Sequence, residues 1–186
     1  MGCRDFFSSN SENKERGYLL QTESEATQID WELSSASKHS PGPVEDAEDL
    51  IRYWISPFHF NTATGQLKPT AFEDASDKGL SVNRSKFTTP EAVQAMAVDR
   101  VDEWNKNNPT REQRTLLGYS TFTAGEVRSV MTDGSPPRRA LGVFDTAKPD
   151  DASHADVCQL VKSNQGGRSA RTLLREVALA SYKSFT

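Results

Sequence analysis

LIRYWISPFHFNTATGQLKPTAFEDASDKGLSVNR, residues 50–84, is the stretch on which the reading of this chain turns. It gathers Trp54, Phe58, Phe60 and Phe72, one of the three histidines (His59), and two arginines set beside apolar runs, Arg52 and Arg84. Just upstream, Glu45, Asp46, Glu48 and Asp49 crowd what would be a first helical turn. Ala47, Leu50, Ile51 and Trp54 then recur at helical spacing, so a short helix is expected over 45–55, stopped by Ser56-Pro57. Two short extended segments around Gly65 follow, the second confined to an edge by Pro69. In LSVNR, Leu80 and Val82 alternate with Ser81 and Asn83, the pattern of a half-buried strand.

Downstream, residues 88–108 read as the clearest helix. A threonine caps it, Pro90 sits in the first turn, and Val93, Met96, Ala97, Val101 and Trp104 form one stripe. TLLGYSTFT (115–123) has strand composition, and Thr123-Ala-Gly-Glu126 is a capping box opening a short helix. ALGVF (140–144) and HADVCQLV (154–161) read as strands, and 169–182 as an amphipathic helix carrying Arg171 and Arg175, with Arg168 just before it. Strands and helices in this order define the α+β class: a small mixed or mainly antiparallel sheet covered by helices.

Ahead of this body, residues 1–43 are rich in Ser, Glu, Asn and Thr with scattered apolar residues, a composition expected to stay mostly disordered. The expected division is therefore a polar tail and linker, 1–43, and a single α+β domain, 44–186. A chain of 186 residues suits one such domain. The formal net charge of −4 argues against a protein built chiefly to grip nucleic acid. Apolar runs are too short to span a bilayer and nothing at the N-terminus resembles a secretion signal, so a cytoplasmic protein is expected. Met-Gly-Cys at the start lacks the Ser or Thr that the myristoylation pattern wants at position 6, where Phe6 stands. Two cysteines, Cys3 and Cys158, give no disulfide framework, and no paired spacing marks a metal site.

Polar groups embedded in apolar runs are the candidates for chemistry. His59 and His154 are the potential acid and base, and Arg52, Ser81, Arg84 and Arg128 the potential binding residues. The glycines of GGRSAR invite an anion at the last helix, with Arg168 and Arg171 at hand, although the pattern is neither a P-loop nor G-x-G-x-x-G. No cofactor is implied.

The blocks LIRYW, AFEDASDKGLSVNR, TAGEVR and ASHADV, in that order, resemble those of a small group of bacterial proteins to which no activity is assigned. In that group an AF…LSV-x-R block and a later His-Ala pair recur, falling here on Ala71, Phe72, Leu80, Ser81, Val82, Arg84, His154 and Ala155. The helical region 91–108 is longer here than in the group. The resulting expectation is a non-catalytic accessory module that binds a protein partner through its aromatic hairpin and arginines, as part of a bacterial toxin-control or defence system. The alternative is a small enzyme acting on a nucleotide or nucleic acid, ADP-ribosyltransferase-like or with His59 and His154 as acid and base. That version requires both histidines in one cleft.

Overall fold

Asp49–Ser56 is a strand, β1, and not the expected helix. Seven of its eight residues are buried or half-buried on both sides, so the usual alternation is lost and the spacing of Leu50, Ile51 and Trp54 mimics a helical stripe. The acids at 45–48 form the turn leading into it. In the computed structural model, which describes residues 2–11, 13–61 and 63–185, β1 lies inside a six-stranded sheet. Its other members are β4 (Leu80–Arg84), β5 (Thr115–Thr123), β6 (Leu141–Phe144), β7 (His154–Gln159) and β8 (Tyr182–Ser184). The order is β6-β7-β4-β1-β5-β8, and every pairing is antiparallel.

A separate hairpin joins β2 (Phe60–Asn61) to β3 (Gln66–Leu67), with Thr62 in its connection outside the described residues. The segment after it, expected to stay extended, instead turns into a 3-10 helix at Pro69–Phe72 and then α4 (Asp74–Asp77). The fold class is thus as expected, α+β with a wholly antiparallel sheet.

Alternating side chains split the strands between two faces. Leu50 and Trp54, Leu80 and Val82, Leu141 and Val143, and Ala155 and Val157 join one core with α6 (Ala124–Arg128) and α7 (Gly167–Ala180). Ala170, Leu174 and Ala178 are the α7 residues in that core. The capping box at Thr123 and Glu126 forms as read. On the second face, α5 (Pro90–Asn107) lies against β1 and β5 and buries Val93, Ala97 and Val101.

The rest of the second face is covered by residues 2–11 and 13–43, which correct the expectation of a disordered tail. They fold into α1 (Cys3–Ser9), α2 (Arg16–Leu20) and α3 (Glu25–Glu32). Phe6, Phe7, Leu20, Trp31 and Ala36 share a cluster with Phe144, Cys158 and Leu160 of the outer strands. Too sparse to make a core alone, these residues complete one that the sheet leaves open. Polar contacts fix the arrangement. Glu32, 2% exposed, accepts from Arg128 Nε (2.7 Å), from Arg139, and from the Val143 amide (2.6 Å). Gln28 Nε2 donates to the carbonyls of Leu20 and Leu160, each at 2.9 Å. Among the described residues no helix is long and apolar enough to cross a membrane.

Replacing Trp31 by Ala should cost about 3 kcal/mol in urea-induced unfolding, the scale for emptying a large buried site. A tail loose in solvent would leave the midpoint unchanged.

Candidate functional site

β1 and β4 pair only at Leu50↔Arg84 and Ile51↔Asn83. Beyond that point Arg52 Nη1 reaches across and donates to the Ser81 carbonyl at 2.7 Å. On its other edge β4 stays paired to β7, with Ser81 opposite Asp156 and Asn83 opposite His154. Alternation from Leu80 and Val82 therefore sends Ser81, Asn83, His154 and Asp156 to the second face, the one shared by α5 and the N-terminal helices.

There the polar groups interlock. His154 Nε2 lies 3.2 Å from Ser81 Oγ, and its Nδ1 lies 3.1 Å from the Thr146 carbonyl and 3.0 Å from Thr146 Oγ1. Since a carbonyl only accepts, Nδ1 carries the proton of a neutral ring and Nε2 is free to accept from the Ser81 hydroxyl. Thr146 Oγ1 donates to Asp156 Oδ2 at 3.0 Å, Arg16 Nη2 donates to the same oxygen at 2.7 Å, and Ser81 Oγ lies 3.4 Å from Asp156 Oδ1. Burial pushes the His154 pKa down, with Asp156 pulling the other way. Gly79 closes the back of this cluster. Its φ of 95° is left-handed, and a Cβ there would stand 2.8 Å from the Asp156 side chain.

His154 and Asp156, 6% and 3% exposed, form the floor of a cleft of about 540 Å³ between the N-terminal segment and the β6–β7 loop. Arg4, Arg16, Lys38, His39 and Lys148 also line it. Arg4, Lys38 and Lys148 are exposed and make no ion pair among the described residues. In a protein of net charge −4, this cleft sets Arg4, Arg16, Lys38 and Lys148 against one carboxylate, that of Asp156.

The remaining candidates lie elsewhere. His59 is on the Trp54 face of the sheet, edge-on to that ring at 5.6 Å, with Nδ1 accepting from the Ile55 amide at 3.1 Å and Nε2 3.4 Å from Arg52 Nη2. His154 is on the other face, so the pairing of His59 and His154 as acid and base is corrected: the sheet separates them. Burial, then Arg52, pushes His59 down to about 2. Arg52 itself is buried, and among the described residues no carboxylate pairs with it and its Nε lacks a hydrogen-bond partner.

Arg84, 1% exposed, is consumed internally. Its Nε and Nη2 each meet Glu48 at 2.6 Å and its Nη1 lies 3.2 Å from Asp145. Arg128 is held by Glu32 and Asp46. Arg171 bonds Gln159, while Arg168 borders a separate open basin of about 820 Å³ at the start of α7. That basin is larger than the cleft, but no buried titratable side chain lines it. Of the sequence candidates, Ser81 meets His154, Arg52 meets His59 and the Ser81 carbonyl, and Arg168 and Arg171 line one pocket with Arg175 on α7, while Arg84 and Arg128 are each paired internally.

Sequence reasoning missed Arg4, Arg16, Lys38 and His39, which were read as tail, together with Thr146 and Asp156. Asp156 carried a signal, because it stands two residues from His154 and so on the same face of a strand. Among the described residues no group of three or more His, Cys, Asp or Glu side chains is placed to hold a metal. Both cysteines are buried and free, and burial pushes Cys3 up to about 12 and Cys158 up as well. Comparison with known proteins gives no match to a family model, a curated protein or a solved structure.

His59 should be neutral in nitrogen NMR spectra at pH 6, and His154 should titrate below an exposed imidazole. The unfolded chain then binds more protons below pH 6.5 through these two rings. Asp145, which burial raises to about 6 against the pull of Arg84, offsets only one of them. The unfolding free energy should accordingly fall as pH drops from 6.5 towards 4. A protonated His59 signal at pH 6 would contradict the burial argument.

Proposed function

We propose that this protein binds a phosphate-bearing small molecule of nucleotide size in the cleft between its N-terminal segment and the β6–β7 loop. The observation that carries the reading is charge: Arg4, Lys38 and Lys148 stand exposed, with no carboxylate partner among the described residues, around a floor holding His154. A volume of about 540 Å³ is in the range of small-molecule sites, and arginine matches phosphate oxygens in a bidentate fashion. This keeps the nucleotide side of the sequence reading and moves it from His59 and the sheet arginines to the cleft.

Calorimetry with ADP at low salt should detect binding, and exchanging both Lys38 and Lys148 for Ala should weaken it at least about tenfold while leaving the thermal unfolding midpoint unchanged, the expected scale for charge-assisted contacts. Binding should also weaken as salt is raised. No heat with either ADP or pyrophosphate removes the reading.

A second observation favours the protein-partner reading. Phe58 is 56% exposed, and the Arg114 guanidinium lies 4.7 Å from its ring centroid and 3.7 Å from that of Trp104. Aromatic and arginine side chains dominate interface energetics. In this reading the chain is a cytoplasmic accessory protein of a bacterial multi-gene system, a setting suited to two free thiols. Purification from such a host should retain a partner that Phe58→Asp releases; recovery of the same partner by both forms would sink it.

A further inference from the structure

We infer that the groove between α7 and the 3-10 helix Pro69–Phe72 is a docking site for an extended acidic peptide of a partner protein, held by Arg168, Arg171 and Arg175. The groove shares no lining residue with the cleft, and α7 covers the opposite face of the sheet. The inference therefore stands on geometry separate from both readings above.

Helical spacing brings the three arginines together. Residues 168, 171 and 175 fall on one side of α7, beside the stripe of Ala170, Leu174 and Ala178 that enters the core. That offset carries them to the margin of the buried face, where α7 packs against the 3-10 helix. There they line one pocket of about 240 Å³ with Pro69, Glu73 and Thr172.

Two of the three are fixed without being neutralised. Arg171 Nη1 donates to Gln159 Oε1 at 2.5 Å and Arg175 Nε to the Leu67 carbonyl at 2.8 Å, both uncharged acceptors. Among the described residues none of the three forms an ion pair. Three guanidinium groups thus face one carboxylate, that of Glu73. Local stability does not call for them here. Arg168 lies in the first turn of α7 and Arg171 just beyond it, at the end where the helix dipole favours acids, and that turn holds no acid. An anionic partner supplies what the helix lacks.

The groove also selects the kind of anion. Its volume of about 240 Å³ falls below the roughly 300 Å³ at which sites begin to enclose a whole small molecule, so it suits part of a longer chain. Arg171 and Arg175 are about 6 Å apart along the helix axis. Side chains on one face of an extended peptide repeat at about 6.6 Å, so acidic residues at alternate positions meet successive arginines. Each planar guanidinium takes a carboxylate through paired hydrogen bonds. Glu73 decides against a nucleic acid: it repels a run of phosphates, which offer it no donor, but accepts a backbone N–H of a peptide. The net charge of −4 points the same way.

Fluorescence anisotropy with a labelled peptide of alternating glutamate and serine should show binding at low salt that weakens as salt is raised. The same peptide with glutamine for glutamate should not bind. Arg168→Glu should weaken binding at least about tenfold, the scale of lost hydrogen bonds to charged groups. It should not lower the thermal unfolding midpoint, because Arg168 is exposed and an acid suits that turn. The variant should bind ADP as the wild-type chain does, and ADP should not displace the peptide.

No anisotropy change with the glutamate peptide, or equal binding by Arg168→Glu, overturns the inference. Displacement by ADP puts the peptide in the cleft and overturns its placement. A labelled thymidine oligonucleotide that binds more tightly than the peptide, and that Arg168→Glu also weakens, overturns the peptide class in favour of nucleic acid. A wild-type chain that binds the peptide but not ADP sinks the cleft reading and leaves this inference standing.

Discussion

Arg84 is buried between Glu48 and Asp145, and this cluster is the constraint around which the chain is arranged. A guanidinium with 1% exposure has given up its hydration, and the loss is met by two contacts of 2.6 Å to Glu48, one of 3.2 Å to Asp145, and the carbonyls of Gly42 and Pro43. Such clusters add little net stability over an apolar core of the same volume, but they tolerate no missing member. Here the members come from the connection before β1, from β4 and from the end of β6. The cluster therefore fixes where the N-terminal segment joins the sheet. Ser40, which also bonds Asp145, and Arg128, which reaches the Val44 carbonyl at 2.8 Å, extend the same lock to either side.

With the connection held there, the N-terminal helices have one route, over the second face of β6 and β7. The apolar cluster around Trp31 and Phe144 and the buried Glu32 secure the far end. Arg4, Arg16 and Lys38 arrive beside His154 and Asp156 as a result. The cleft is accordingly made of two parts that neither segment supplies alone: His154 and Asp156 on a sheet floor, and a cationic surround carried by the covering segment and the β6–β7 loop.

Locally determined elements were legible in the sequence. β4, β5, β6, β7, α5 and α6 announce themselves through alternation, caps and a continuous helical stripe, signals that need no partner. β1 did not, because Leu50, Ile51, Trp54 and Ile55 are buried on both faces of an inner strand and their order happens to fit a helical period. β8 was hidden for a different reason. Tyr182–Ser184 becomes a strand only by pairing with residues 118–120 of β5. The N-terminal helices depend on apolar partners more than a hundred residues away. For the site, Ser81 and His154 were visible as polar residues in apolar runs. Arg52, Arg84 and Arg128 were equally conspicuous, but what decides their roles lies far off in sequence: Glu48 and Asp145 for Arg84, Glu32 for Arg128, and for Arg52 the Ser81 carbonyl, with no carboxylate paired to it among the described residues.

One contact of the covering segment reaches further. Glu32 Oε1 accepts the Val143 amide at 2.6 Å, and β6 is the outermost strand on its side of the sheet. A side chain thus occupies a hydrogen-bonding position that a neighbouring chain would otherwise fill. Outer strands with free amides template stacking of one molecule on the next. The first forty residues therefore also serve as a guard for solubility: peeled away, they would leave a greasy face and a strand margin ready for self-association.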